Sequence, residues 1–218
     1  MQRAALVRPL VELMAISVLL TSYIWVWGGT FRGAFPLCLF TYAAIGLAAH
    51  LRARERLTDI GLRVDNLKTA VRDAVLATTT IGLVLLAAGI LLGSVNFPPL
   101  RIWPSSLRDG MIWGFLQQYG LLCIYYRRFS ELLPSHSGMP LWAAGAVFSL
   151  FHLPNPFLTL ATFGAGMLSC WLYRRTPNLF VLGAMHGVIS FLIVQTLPES
   201  ITMGMRVGPG FLDFVPRP

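Results

Sequence analysis

The chain has 218 residues, 56% of them hydrophobic and only 12% charged, with a mean hydropathy of +0.67. That is too apolar for a domain that presents a charged surface to water on all sides, so the composition predicts an integral membrane protein. The formal net charge of +8 does not point to nucleic acid, because the basic residues sit as flanking pairs beside apolar stretches, where membrane topology and anionic headgroups account for them.

A helix needs about 20 mainly apolar residues to cross the hydrocarbon core, and seven such stretches are read in chain order: 9–27, 34–51, 74–95, 111–126, 141–153, 157–173 and 179–197. The fifth is short. The predicted fold is therefore an all-α polytopic bundle of about seven transmembrane helices. The start, "MQRAALVRPLVELMAISVLL", has no small-residue cleavage site before Trp25 and Trp27, so it reads as a retained first span. Between the second and third spans lies the longest polar segment, 52–73. It reads as a short interfacial helix at the headgroups, with Ile60, Leu62, Leu67 and Val71 spaced among charges and Thr58, Asp65 and Asn66 as candidate caps.

Lys and Arg accumulate in cytoplasmic loops. With the N-terminus inside, the inner segments hold Arg3, Arg8, Arg52, Arg54, Arg56, Arg63, Lys68, Arg72, Arg127, Arg128, Arg174 and Arg175, twelve of the 17 basic residues, against Arg32, Arg101, Arg108, Arg206 and Arg217 outside. Seven spans in a cytoplasmic membrane, entering from the inside, fit this pattern. Three units follow along the chain: spans with the interfacial segment (1–110), a core (111–197) and a Gly- and Pro-rich tail (198–218). The tail reads as irregular.

Polar groups inside membrane spans mark functional sites by default. The fourth span carries Gln117 and Gln118, the fifth ends "FSLFHLPNP" with His152, and the seventh, "LFVLGAMHGVISFL", holds His186. At about 1.5 Å rise per residue, these positions fall at comparable depth. Phe148 and His152 are four apart, as are His186 and Ser190, so each pair shares a helix face. Gly110 and Gly114 precede the glutamines and Gly183 and Gly187 bracket His186, spacings that let helices approach closely in lipid. Pro154 and Pro156 end the helix just past His152 and free backbone carbonyls, so a water-filled pocket beside the histidine is expected.

The order of a polar pair, "FSLFH" and a histidine with a polar residue four later resembles the CPBP family of CAAX-protease and bacteriocin-processing intramembrane proteases over about 111–197. In that family two adjacent glutamates and an arginine one turn on activate water, while two histidines and an asparagine bind the oxyanion or hold the site. The resemblance implies these roles for His152 and His186, with Phe148 as a supporting residue. It sets Gln117 and Gln118 at the glutamate positions, Leu122 at the arginine and Ser190 at the asparagine. A neutral amide cannot take a proton as a carboxylate does, though it can hold a water, an oxyanion or a peptide backbone.

Three readings follow. One is an intramembrane endopeptidase acting on a membrane-embedded or lipidated peptide, with a histidine as base, or with Cys123 or Glu131 recruited from the same span. Another is a pseudoprotease that binds such a peptide without cutting it. The last is a structural bundle whose polar residues only make interhelical hydrogen bonds. The expected partners are membrane lipids and a transmembrane or lipidated peptide. No cofactor and no metal is expected, since two histidines lack the third protein ligand of a catalytic zinc site. Cys38, Cys123 and Cys170 read as buried thiols, His50 and His136 as interfacial or solvated. Trp25, Trp27, Trp103, Trp113 and Trp142 read as membrane-interface anchors.

Overall fold

A computed structural model describes residues 2–134 and 137–216. His136 lies outside them. Helix α1 (Gln2–Ser22) continues as a π-helical turn, Tyr23–Trp27, and is followed by α2 (Ala34–Ala53) and α3 (Leu67–Leu92). Helix α4 (Trp103–Gln118) runs without a break into a π-helical stretch, Tyr119–Tyr126, and a last α-helical turn and a half, Arg127–Leu132. Then come α5 (Met139–Leu150), α6 (Pro156–Arg175) and α7 (Leu179–Thr196). Each of the seven apolar stretches is thus a helix. Five of them, α1, α2, α3, α6 and α7, have the length and composition to cross a membrane, and the continuous fourth helix is longer still. With 12 residues, α5 rises only about 18 Å and cannot cross a core of about 30 Å by itself.

The surface is that of a protein in lipid. Leu91 and Phe40 are 87% and 74% exposed, while the charged residues collect at the ends of the bundle. Local chemistry sets the helix starts. Asn155 and Asn178 precede α6 and α7, and each side chain accepts a hydrogen bond from the backbone N–H three residues on. Segment 52–73 differs from expectation. Its last third, 67–73, is the start of α3, and 54–66 is a series of turns rather than a separate interfacial helix. Asn66 does not cap α3 with its side chain. Instead it donates to Pro177 O and accepts from Asn178 Nδ2, which stitches the loop to the start of α7.

The same end of the bundle holds a buried ionic cluster. Arg128 is completely buried; its Nε lies 2.5 Å from Glu12 of α1, and its other nitrogens bond Glu55 and Glu131. Arg127 Nε donates to Glu55 at 2.7 Å, and Arg8 pairs with Glu131. His50 belongs to this cluster and is not the interfacial or solvated residue that its position implied. It is buried, with Nδ1 2.6 Å from Glu55 Oε2 and Nε2 2.9 Å from the Tyr119 hydroxyl. Spacing along one helix could not show these partners, because Glu55 lies in the loop after α2 and Tyr119 in the fourth helix. Burial alone raises the Glu55 carboxyl, but hydrogen bonds from His50, Arg128 and Arg127 outweigh it and hold the group well below the ordinary carboxylate range.

Two close crossings set the helices that matter for the interior. A Cβ on Gly46 of α2 would lie 2.3 Å from the Tyr119 hydroxyl, and one on Gly120 would lie 2.3 Å from that of Tyr42. Each helix therefore receives the other's tyrosine in a glycine slot. Between α4 and α7 the contact is backbone on backbone. A Cβ on Gly187 would meet Gly110 C and Met111 N at 2.6 Å, and one on Gly114 would meet Gly183 O at 2.6 Å.

Replacing Gly187 with Ala is expected to cost about 1–3 kcal/mol through overpacking, because the clash is with backbone and cannot be relieved by a rotamer. Gly164→Ala, where a Cβ meets nothing within 4 Å, is expected to lose no stability; thermal unfolding in detergent compares the two. Arg128→Ala leaves buried carboxylates unpaired and is expected to cost about 3 kcal/mol or more. Because the folded Glu55 carboxyl titrates below its unfolded value near 4.5, its contribution is full above that pH and is lost as the pH falls below it. The unfolding midpoint of the wild type should therefore drop as the pH is lowered past that value. Glu55→Gln should remove part of that dependence.

Candidate active site

The α4–α7 crossing delivers Gln118 to His186. Gln118 is buried, and its Nε2 lies 3.2 Å from His186 Nδ1 and donates to Ser169 Oγ of α6 at 3.1 Å. Ser169 is not among the polar residues that the sequence singles out. A polar residue three after Gly166, on the helix face that Gly166 presents to α5, was the available signal. His152 lies in the turn after α5, beside the same cavity. Its Nδ1 bonds the carbonyl of Phe148 one turn earlier at 2.8 Å. The Phe148 ring packs edge-on against both imidazoles, with centroids 5.0 Å from that of His152 and 6.4 Å from that of His186.

These contacts set the tautomers. A carbonyl only accepts, so His152 Nδ1 carries the proton and, in the neutral ring, Nε2 keeps a lone pair. With the Gln118 amide in this orientation, its Nε2–H donates to His186 Nδ1, and the His186 proton then sits on Nε2. One histidine thus has an acceptor free and the other a donor. The side-chain carbonyl oxygens of Gln117 and Gln118 are both buried, and neither has a hydrogen-bond partner among the described residues.

Gln117, Gln118, Phe148, His152, His186 and Ser190 all line one cavity of about 720 Å³. Its character differs from the expected water-filled pocket. Leu, Ile, Phe and other apolar residues from α1, α2, α3, α6 and α7 make most of the wall, and no Asp, Glu, Lys or Arg contributes to it among the described residues. The carbonyls freed at the end of α5 are satisfied by protein: Phe148 O by the His152 ring, His152 O by Asn155 N and Leu153 O by Gly208 N. The last of these partners comes from the C-terminal segment, which folds back over this turn and differs from the irregular tail expected. It forms the one-turn helices α8 (Glu199–Thr202) and α9 (Pro209–Leu212) with a 3₁₀ turn between them.

Two further candidates lie elsewhere. Cys123 is fully buried, donates to Ile60 O and does not line the cavity. Glu131 is engaged by Arg8 and Arg128 in the ionic cluster. Leu122 is fully buried in the hydrophobic core and likewise does not reach the cavity. Cys38, Cys123 and Cys170 are free and buried. Among the described residues no three His, Cys, Asp or Glu side chains cluster as metal ligands.

Compared with models of protein families, the chain matches that of the type II CAAX prenyl endopeptidase Rce1-like family over residues 2–192. No curated protein and no solved structure matches it. The family match takes in α1 to α6 and nearly all of α7, and leaves the C-terminal segment outside. Matched over most of its length, the chain belongs to the Rce1-like family of type II CAAX endopeptidases.

Proposed function

We propose that this protein is an intramembrane endopeptidase that hydrolyses a membrane-embedded or lipidated peptide held in the cavity, with His152 as general base and His186 as oxyanion donor. The observation that carries this reading is the complementary state of the two imidazoles on one wall. The unpartnered carbonyl oxygens of Gln117 and Gln118 are acceptors for the O–H of a hydrolytic water. His152 Nε2 takes one proton from that water, and the hydroxide oxygen bonds to the peptide carbonyl carbon. The displaced electron pair goes to the carbonyl oxygen, which receives the His186 Nε2–H. Collapse re-forms the C=O, breaks the C–N bond and returns the proton from His152 to the leaving nitrogen. Ser169 and Phe148 act by positioning, one through Gln118 and the other through both rings. The apolar remainder of the cavity suits an apolar stretch or lipid chain on the substrate.

A second reading has its own support. Among the described residues no carboxylate lines the cavity or orients His152, which supports reading the chain as a relative that holds the peptide without cutting it. A purely structural bundle is the least favoured, since polar contacts worth about 1 kcal/mol each do not call for a cavity of about 720 Å³. The basic residues Arg52, Arg54, Arg56, Arg174 and Arg175 lie at the end of the bundle where α2 and α6 finish and α7 begins, which supports a cytoplasmic position for that end.

The test is cleavage of a prenylated CAAX-type peptide and its unprenylated counterpart by protein in lipid discs. Wild type is expected to cut, and His152→Ala to lose about 100-fold or more. Uncleaved but bound peptide with wild type, together with cleavage by Gln118→Glu or by Gln118→Glu with Leu122→Arg, establishes the binding relative instead. If the peptide neither binds nor is cut by any of them, both readings fall.

A further inference from the structure

The C-terminal segment is fastened over the cavity at three points. Asn155 is completely buried and uses its whole side chain. Oδ1 caps α6 at Leu158 N, while Nδ2 donates to Thr202 O at 2.9 Å and to Arg206 O at 3.0 Å. Gly208 N then donates to Leu153 O at 2.8 Å. Gly208 also abuts the far end of α1. Its φ is +57°, and a Cβ there would lie 2.7 Å from Ile24 Cγ2. Residues 203–208 therefore bridge the turn that carries His152 and the end of α1, and two of their side chains, Met205 and Val207, line the cavity.

The backbone of this bridge is held in an unfavourable conformation. Met203 and Met205 have φ of 50° and 56°, a region that costs a non-glycine residue roughly 1–2 kcal/mol. Such backbone persists only where its surroundings dictate it. Here the bonds from Asn155 to Thr202 and Arg206 bracket the two methionines, so the direction of the Met205 side chain is imposed. The family match ends at residue 192, so this stretch of wall lies outside the matched region.

We propose that Met205 and Val207 are specificity-determining residues of the cavity, setting the bulk of the apolar group that fits beside His152, and that Asn155 is the positioning residue that holds them there. This rests on the reading of the cavity as the substrate site. Met205 offers an unbranched, adaptable surface, and Val207 a stiff one. Together they make a wall that yields at one position and stands at the next.

The native thiol Cys38, which lines the same cavity as Tyr23 and Ile24, reports on the wall without requiring catalysis. Protein in lipid discs is treated with N-methylmaleimide or N-(1-pyrenyl)maleimide, and adducts are located by mass spectrometry. Cys123 and Cys170 are fully buried and do not line the cavity, so they serve as internal controls. Met205→Ala and Asn155→Ala are expected to raise the ratio of pyrenyl to methyl labelling at Cys38 at least about tenfold, the scale on which one or two methylenes discriminate in an apolar pocket. Met205→Trp is expected to lower it. Unchanged ratios in Met205→Ala and Met205→Trp overturn the proposal, and these two variants leave the Asn155 anchor intact should Asn155→Ala fail to fold. Cleavage results do not enter this readout, so an enzyme that proves inactive leaves the inference standing, and an active one with unchanged labelling ratios removes the inference alone.

Discussion

The backbone contact between α4 and α7 is the constraint on which the rest depends. Gly110 and Gly114 on one helix face Gly183 and Gly187 on the other at backbone contact distance. In lipid there is no hydrophobic drive to bring helices together, so close packing and interhelical hydrogen bonds must do it. This crossing supplies both. It places Gln118, one turn beyond Gly114, within hydrogen-bond reach of His186, one residue before Gly187. The remaining polar partners join that pair: Ser169 from α6, and His152 through the shared Phe148 ring.

Two polar systems share the bundle and are built on opposite principles. At the end where α1 begins and α2 finishes, the charges of Arg8, Arg127 and Arg128 are matched against Glu12, Glu55 and Glu131, and each ion is held by its opposite. Removing one partner there leaves a charge stranded. At the cavity nothing is charged by composition. Among the described residues, amides, a hydroxyl and imidazoles meet there without a carboxylate or a guanidinium, and the side-chain oxygens of Gln117 and Gln118 have no partner. The first system has every incentive to stay closed. The second has spare hydrogen-bonding capacity facing an apolar hollow, the arrangement expected where a polar reactant is to be received.

The two systems touch through the fourth helix. Gln118 belongs to the cavity, and the next residue, Tyr119, begins the π-helical stretch and bonds His50 of the ionic cluster. A π segment inside a helix is often found at a functional site. In this chain it falls between the glutamine that meets His186 and the arginines that anchor the helix end, so the geometry of one is tied to that of the other through a few residues of backbone.

Much was legible in the sequence because lipid imposes strong rules. Length and hydropathy located the seven helices, small-residue spacing marked Gly110, Gly114, Gly183 and Gly187 as points of close helix approach, and polar residues in apolar surroundings stood out as Gln117, Gln118, His152 and His186. Those signals are local and periodic, and they need no partner to be seen. What the sequence could not show depends on segments far apart in the chain. His50 looked solvated until Glu55 and Tyr119 were placed around it. Ser169 looked like one small residue among several until Gln118 reached it. The tail looked irregular because its order comes from Asn155 and Leu153, about fifty residues earlier. The sequence by itself determined the membrane class, the helices and which polar groups are costly to bury, since each follows from the transfer energy of a short stretch. Only the tertiary structure decided which of those groups meet, that the hollow beside them is apolar, and what closes it, because a hydrogen bond or a cavity wall is a property of two or more segments at once.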